Sequence, residues 1–150
     1  MLFRSKNGKP IKYEPLIRHG IAPELTIAGG VRVAAGDDDH VRRFMGRIRA
    51  GITLFSEPNF LVAGVTGTIG TLDSSSVGVE VGFINMITGI WLQGGWMPID
   101  STDGQIVSAT FGYALFGLEY QRRVSGSQKD EQSLTITLQV PLGVLKVLLD

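Results

Sequence analysis

Residues 61–83 read LVAGVTGTIGTLDSSSVGVEVGF. Leu61, Ala63, Val65, Gly67 and Ile69 oppose Val62, Gly64, Thr66, Thr68 and Gly70, a two-residue period that belongs to an extended strand. Asp73-Ser74-Ser75-Ser76 closes the run, and Val77, Val79, Val81 and Phe83 then alternate with Gly78, Glu80 and Gly82. Two strands joined by a polar turn form a hairpin. What decides the fold is the second face, which is glycine, serine and threonine where a water-facing sheet would carry Lys, Arg, Glu and Gln. The pattern spreads outward from here: from Gly51 to Gln121 there is no lysine or arginine. This stretch therefore meets something other than bulk water on both faces, either lipid and a narrow lumen or a neighbouring subunit.

Working toward the C-terminus, Asn85–Thr88 is a turn and Gly89–Met97 returns as a strand, followed by a polar loop at Pro98–Gly104. Gln105–Arg123 is the longest candidate strand, with Val107, Ala109, Phe111, Tyr113 and Leu115 on one face. Ser125–Gln132 is a charged loop, and Ser133–Val140 alternates Leu134, Ile136, Leu138 and Val140 with Thr135, Thr137 and Gln139. Pro141 interrupts it, so Gly143–Leu149 either continues as strand or forms a helical turn.

Toward the N-terminus, His40–Phe55 supports two periods. Val41, Phe44, Met45 and Ile48 fit a short basic helix, while Phe44, Gly46, Ile48, Ala50, Ile52 and Leu54 fit one face of a strand, with Arg43, Arg47, Arg49 and Thr53 on the other. The strand pattern runs further and is preferred. Glu24–Ala35 is a strand with Gly29-Gly30 as a bulge or point of close approach. Residues 1–23 hold Pro10, Pro15 and Pro23 with four basic side chains before residue 13, and read as an extended arm preceding a single domain over 24–150.

The expected fold class is all-β: an antiparallel meander of six to eight strands, closed as a small barrel because closure removes exposed edges. A chain of 150 residues suits one domain. Fourteen basic and fourteen acidic residues cancel, though residues 1–50 hold ten against five and residues 51–150 four against nine. There is no cysteine, which excludes disulfides and thiolate chemistry. No apolar window approaches a spanning helix. The first nine residues carry charge without an apolar segment behind them, so they are not read as a signal peptide.

These features resemble small bacterial outer-membrane β-barrels as an architectural class, over residues 24–149. The resemblance implies a non-enzymatic barrel with a structural or small-pore role, a lipid bilayer as partner and the bacterial outer membrane as location. Arg47 and Arg49 would then point inward with Glu80 as an interior charge cluster, the other reading being a solvent-exposed ion pair, and Trp91, Trp96, Tyr113 and Tyr120 would form an interfacial girdle, the other readings being core packing or a ligand box. The alternative is a cytoplasmic β-subunit that buries its small face against copies of itself in a shell, tube or filament.

Other motifs carry little chemistry. Asp37-Asp38-Asp39-His40 lacks the spaced ligands of a calcium loop and reads as a solvated turn. Only His19 and His40 offer imidazoles, and no G-x-S-x-G is present. Gly29-Gly30 opens no helix and is no phosphate cradle. Arg42, Arg43, Arg47 and Arg49 lack an aromatic stacking platform, which argues against nucleic acid. No cofactor or metal site is expected.

Overall fold

The structure is a computed structural model that describes residues 18–35, 44–71, 74–102, 104–127 and 129–150. Eight strands follow in order: β1 His19–Ala35, β2 Phe44–Ser56, β3 Asn59–Thr71, β4 Ser74–Asn85, β5 Ile90–Asp100, β6 Ile106–Tyr113, β7 Phe116–Arg123 and β8 Gln132–Pro141. One helix, α1, spans Leu142–Leu149. Each strand pairs antiparallel with the next, and β8 returns to β1, with Ile27 opposite Val140 and Val31 opposite Ile136. The result is a closed eight-stranded barrel.

Residues 61–83 form the hairpin that their period demands. Val65 sits opposite Val79 and Thr66 opposite Gly78 in the β3–β4 ladder. Residues 44–56 are strand throughout, which resolves the two periods in favour of the longer one: Arg47, Arg49 and Thr53 are buried while Ile48, Ile52 and Leu54 are exposed. β1 starts at His19, so the ladder with β2 takes in residues upstream of Glu24. The turn at Asp37–His40 and residues 1–17 of the arm lie outside the described residues.

Two local expectations are corrected, and at a third position one of two readings holds. The candidate strand 105–123 is two strands, broken at Ala114-Leu115, where Ala114 takes a positive φ of 52°. Its apolar positions run odd through Val107, Phe111 and Tyr113, then even through Phe116, Leu118 and Tyr120. A two-residue turn makes this change of phase possible while keeping both apolar rows on one side. Next, the loop expected at Pro98 begins later because β5 runs on to Asp100. An extra β5 residue is accommodated where Val77 pairs with Ile99 and Val79 with Trp96, and Pro98 lies in that irregularity, where a missing N–H is tolerated. Finally, the β1 bulge falls between Arg32 and Ala34 rather than at the glycine pair. Gly30 is instead a close approach, since a Cβ there would lie 2.8 Å from the Ile136 carbonyl oxygen.

The two ends of the barrel differ. Connections 57–58, 86–89 and 114–115 lie at the end that also carries α1, and the strand ends Ala35, Thr71, Asp100 and Arg123 lie at the other. At the short-turn end the lumen is apolar: Phe60, Val62, Ile84 and Trp91 pack with Val144 and Val147 of α1. Met97 and Ile106 form a second buried apolar pair. Between these layers the interior is polar and charged.

Candidate functional site: the charged lumen

Closing a sheet of period-two strands sends alternate residues to opposite media. In this barrel the small and polar row goes in. From β2 come Arg47 and Arg49, from β4 Glu80 and from β7 Glu119, each with a side chain no more than 2% exposed. Arg47 is the centre of this group. Its Nε lies 3.1 Å from Glu80 Oε1, and its two terminal nitrogens fork onto the two oxygens of Glu119, with Nη2 donating to Oε1 at 2.9 Å. Such bidentate pairing fixes orientation as well as charge. Glu119 also accepts from Thr110 Oγ1 at 3.1 Å and from the Gln121 amide.

Arg49 links this group to the next. Its Nη1 lies 3.2 Å from Glu80 Oε2 and donates to Gln93 Oε1 at 2.9 Å, while Nη2 donates to Thr26 Oγ1 at 2.8 Å. Thr26 and Thr53 in turn donate to the two oxygens of Glu24, at 2.9 and 2.8 Å. Glu24 Oε2 also accepts the Val144 backbone N–H at 2.9 Å, which satisfies one of the free amides in the first turn of α1. Pro141, at the N-cap position, offers no side chain for that purpose. A Cβ on Gly143 would lie 2.3 Å from the Pro23 carbonyl oxygen and 2.4 Å from Glu24 Oε2, so only glycine lets the helix come this close. At the far end of α1, Arg18 Nη2 donates to the Val147 carbonyl at 2.9 Å and also pairs with Glu57. A polar chain thus runs from the middle of the lumen to the helix that covers one of its mouths.

Arg47, Arg49 and Glu80 therefore share one interior network, with each arginine in contact with the same carboxylate. Glu119 and Glu24 complete it and were not anticipated. Read as part of a single strand 105–123, Glu119 falls on the face of Val107 and Phe111. The available signal was the even row Phe116, Leu118, Tyr120, which places Glu119 on the opposite side. Glu24 stood at the assumed edge of the arm, where no strand face could be assigned to it.

The four aromatics divide. Trp96, Tyr113 and Tyr120 are on the outer wall, at 48%, 65% and 40% exposure. Trp96 Nε1 donates to Gln105 Oε1 at 3.2 Å and Tyr120 Oη to Gln132 Oε1 at 2.9 Å. Trp91 does not join them. It points into the lumen at 5% exposure, over positions where β6 and β7 present Gly112 and Gly117. A Cβ on Gly112 would lie 1.9 Å from the indole and one on Gly117 2.6 Å from it. The indole Nε1 donates to the Ala114 carbonyl at 2.8 Å, so this tryptophan ties the apolar floor to the β6–β7 turn.

Chemically the lumen is a set of paired and hydrogen-bonded charges. Among the described residues, no group of three or more His, Asp or Glu side chains could hold a metal ion. Comparison of the chain with protein-family models, with curated proteins and with solved structures finds no match in any of the three.

Proposed function

We propose that this chain is a non-enzymatic transmembrane β-barrel of the outer-membrane type, with lipid as its surrounding partner, the bacterial outer membrane as its location and a structural role. The observation that carries the proposal is the inversion of the usual burial pattern. Arg49 and Arg123 are 1% and 0% exposed while Ile21, Val65 and Phe111 are 73%, 59% and 56% exposed. Every strand contributes to this outer apolar surface, as Leu25, Ile48, Leu61, Val81, Leu92, Phe111, Leu118 and Ile136 are all exposed. In water an apolar surface of that continuity is strongly unfavourable. In lipid it is the requirement.

Further support comes from the strand lengths, the ends and the aromatics. Strands of about 9 to 11 residues cross a bilayer when tilted, and six of the eight meet or exceed that range. β6 and β7 have eight residues each, and their shared turn is flanked by Tyr113 and Phe116, which suit an interface. The connections at the end that carries α1 are short, of two to four residues, as in the periplasmic turns of the same architecture. No helix among the described residues is long and apolar enough to cross a membrane, so these residues could cross only with strands. The packed charges of the lumen favour a structural role over an open pore.

A self-assembling subunit fits less well. A closed barrel leaves no strand edge for another copy to extend, and an apolar surface on every strand calls for a medium on all sides rather than one neighbour. Val79 tests the proposal, because it faces outward near the middle of β4. Val79→Lys is expected to cost roughly 2 to 4 kcal/mol of folding free energy in phospholipid bilayers, as for a cation near the midplane. Unchanged folding and insertion of the variant would refute the membrane assignment, as would a wild-type chain that stays monomeric and soluble without detergent.

A further inference from the structure

α1 covers only part of the short-turn mouth. It packs against β1 and β2, and on the side of β4 to β7 it leaves an apolar cavity of about 160 Å³ lined by Ile84, Met86, Trp91, Leu115, Val144 and Leu145. Gln139 contributes an amide at the wall, and its Nε2 is already engaged by Gln93 Oε1 at 2.9 Å. An enclosed apolar cavity of about 150 Å³ accepts a guest of roughly benzene size, and this partly open one has a similar volume. The connections 86–89 and 114–115 contribute Met86, Gly89, Ala114 and Leu115 to its lining, and Ile87 within the first and Tyr113 and Phe116 beside the second are exposed. These exposed side chains belong to the outer apolar surface, so an aliphatic chain can pass from cavity to surface along side chains of the same character.

We propose that this cavity is a binding site for a single alkyl chain, taking about six carbons between α1 and the β4–β5 and β6–β7 turns. The source of the chain, a bilayer lipid or a free single-chain amphiphile, rests on the membrane assignment; the cavity and its apolar lining do not. Charged and strongly polar guests are disfavoured, because no unengaged ionic group lines the wall. Trp91 stands in the lining, so the site carries its own reporter.

The chain has two tryptophans, and Trp96→Phe leaves Trp91 as the sole emitter. This variant, in detergent micelles and in phosphatidylcholine vesicles, is titrated with terminally brominated alkanols from bromobutanol to bromodecanol. Saturable quenching of Trp91 is expected, with affinity rising about fourfold per methylene and levelling near six carbons. Leu145→Phe and Met86→Phe, which fill the cavity from opposite sides, are expected to abolish saturation while the β-sheet circular dichroism is retained. Quenching that rises linearly with probe and is unchanged by both filling variants would overturn the proposal. If one filling variant fails to fold, the other decides.

Vesicles made with chain-brominated phosphatidylcholine separate the source of the chain from its site. Quenching of Trp91 by that lipid makes the bilayer the source, whereas saturation by bromohexanol alone makes it a free amphiphile. The complementary variant Trp91→Phe reports from Trp96 on the outer wall. Quenching of Trp96 by brominated lipid without saturable quenching of Trp91 removes the cavity site and leaves the membrane assignment standing. The reverse result retains the site and removes the membrane.

Discussion

Replacing Arg47 by leucine tests whether the lumen is a dry, mutually dependent network. The guanidinium faces two carboxylates, Glu80 at 3.1 Å and Glu119 through a fork. At about 3 Å and an effective dielectric near 20, each contact is worth about 5 kcal/mol before desolvation is deducted. Burying a guanidinium offsets much of that gain, so the net attraction is far smaller than the sum. Removing it alone is a different matter. Glu80 would keep Arg49 at 3.2 Å while Glu119 loses its fork, and a broken buried pair costs about 3 to 5 kcal/mol.

The double variant Arg47→Leu with Glu119→Leu removes both members of the fork and leaves Glu80 with Arg49. It is expected to cost less than the sum of the two single variants, by a coupling of about 2 to 3 kcal/mol. The assay is reversible urea unfolding in vesicles, followed by tryptophan emission and by the mobility difference between folded and unfolded chains on cold gels. A coupling below about 0.5 kcal/mol would refute the reasoning. It would mean that water enters the lumen and screens each charge separately.

Three other outcomes follow from particular contacts. Gly112→Ala puts a methyl group against the Trp91 ring and is expected to cost about 1 to 3 kcal/mol in the same unfolding assay, most of it recovered when Trp91 is also made leucine. Glu24→Ala withdraws the acceptor from the Val144 amide, and hydrogen exchange at the first turn of α1 should accelerate about fivefold, in line with the loss of a cap worth about 1 kcal/mol; unchanged exchange would show that the helix is held by packing alone. At the opposite end, Arg122 hydrogen-bonds Asp130 and holds its carboxyl below the ordinary range. A lowered folded-state value means that the contribution is present above about pH 3.9, the unfolded value, and is lost as pH falls through the folded one. A carboxyl-detected NMR titration should show Asp130 moving back up in Arg122→Gln.

The barrel was legible because its evidence is periodic and repeated. Residues 61–83 announce two strands and an uncharged second face, and the same rhythm recurs at 44–55 and 133–140 with the arginines of one and the threonines of the other in step. The common face of Arg47 and Arg49, and the corresponding face of Glu80, followed from that rhythm, and the barrel resemblance turned that face inward. Reading failed where the rhythm shifts phase. The turn at Ala114-Leu115 contains neither glycine nor asparagine, the usual marks of a tight hairpin, so 105–123 reads as one strand, and its unbroken phase gives no sign that Glu119 faces inward. Trp91 was misplaced for a related reason. Whether a tryptophan faces lipid or lumen depends on the residues opposite, and the two glycines that make room for it are distant in sequence and adjacent only once the barrel closes.

The seam between β1 and β8 has a kinetic consequence. Every other seam joins strands that are neighbours in the chain and can zip from a turn, but this one brings Thr26 to Pro141 and must wait for the whole chain to be in place. Until then two strand edges and the outward rows of Ile27 and Ile136 lie open together, a combination that invites pairing with the wrong molecule. The last step of folding is therefore also the step that ends the hazard, and a chain lacking β8 would be an open, adhesive sheet rather than a smaller barrel.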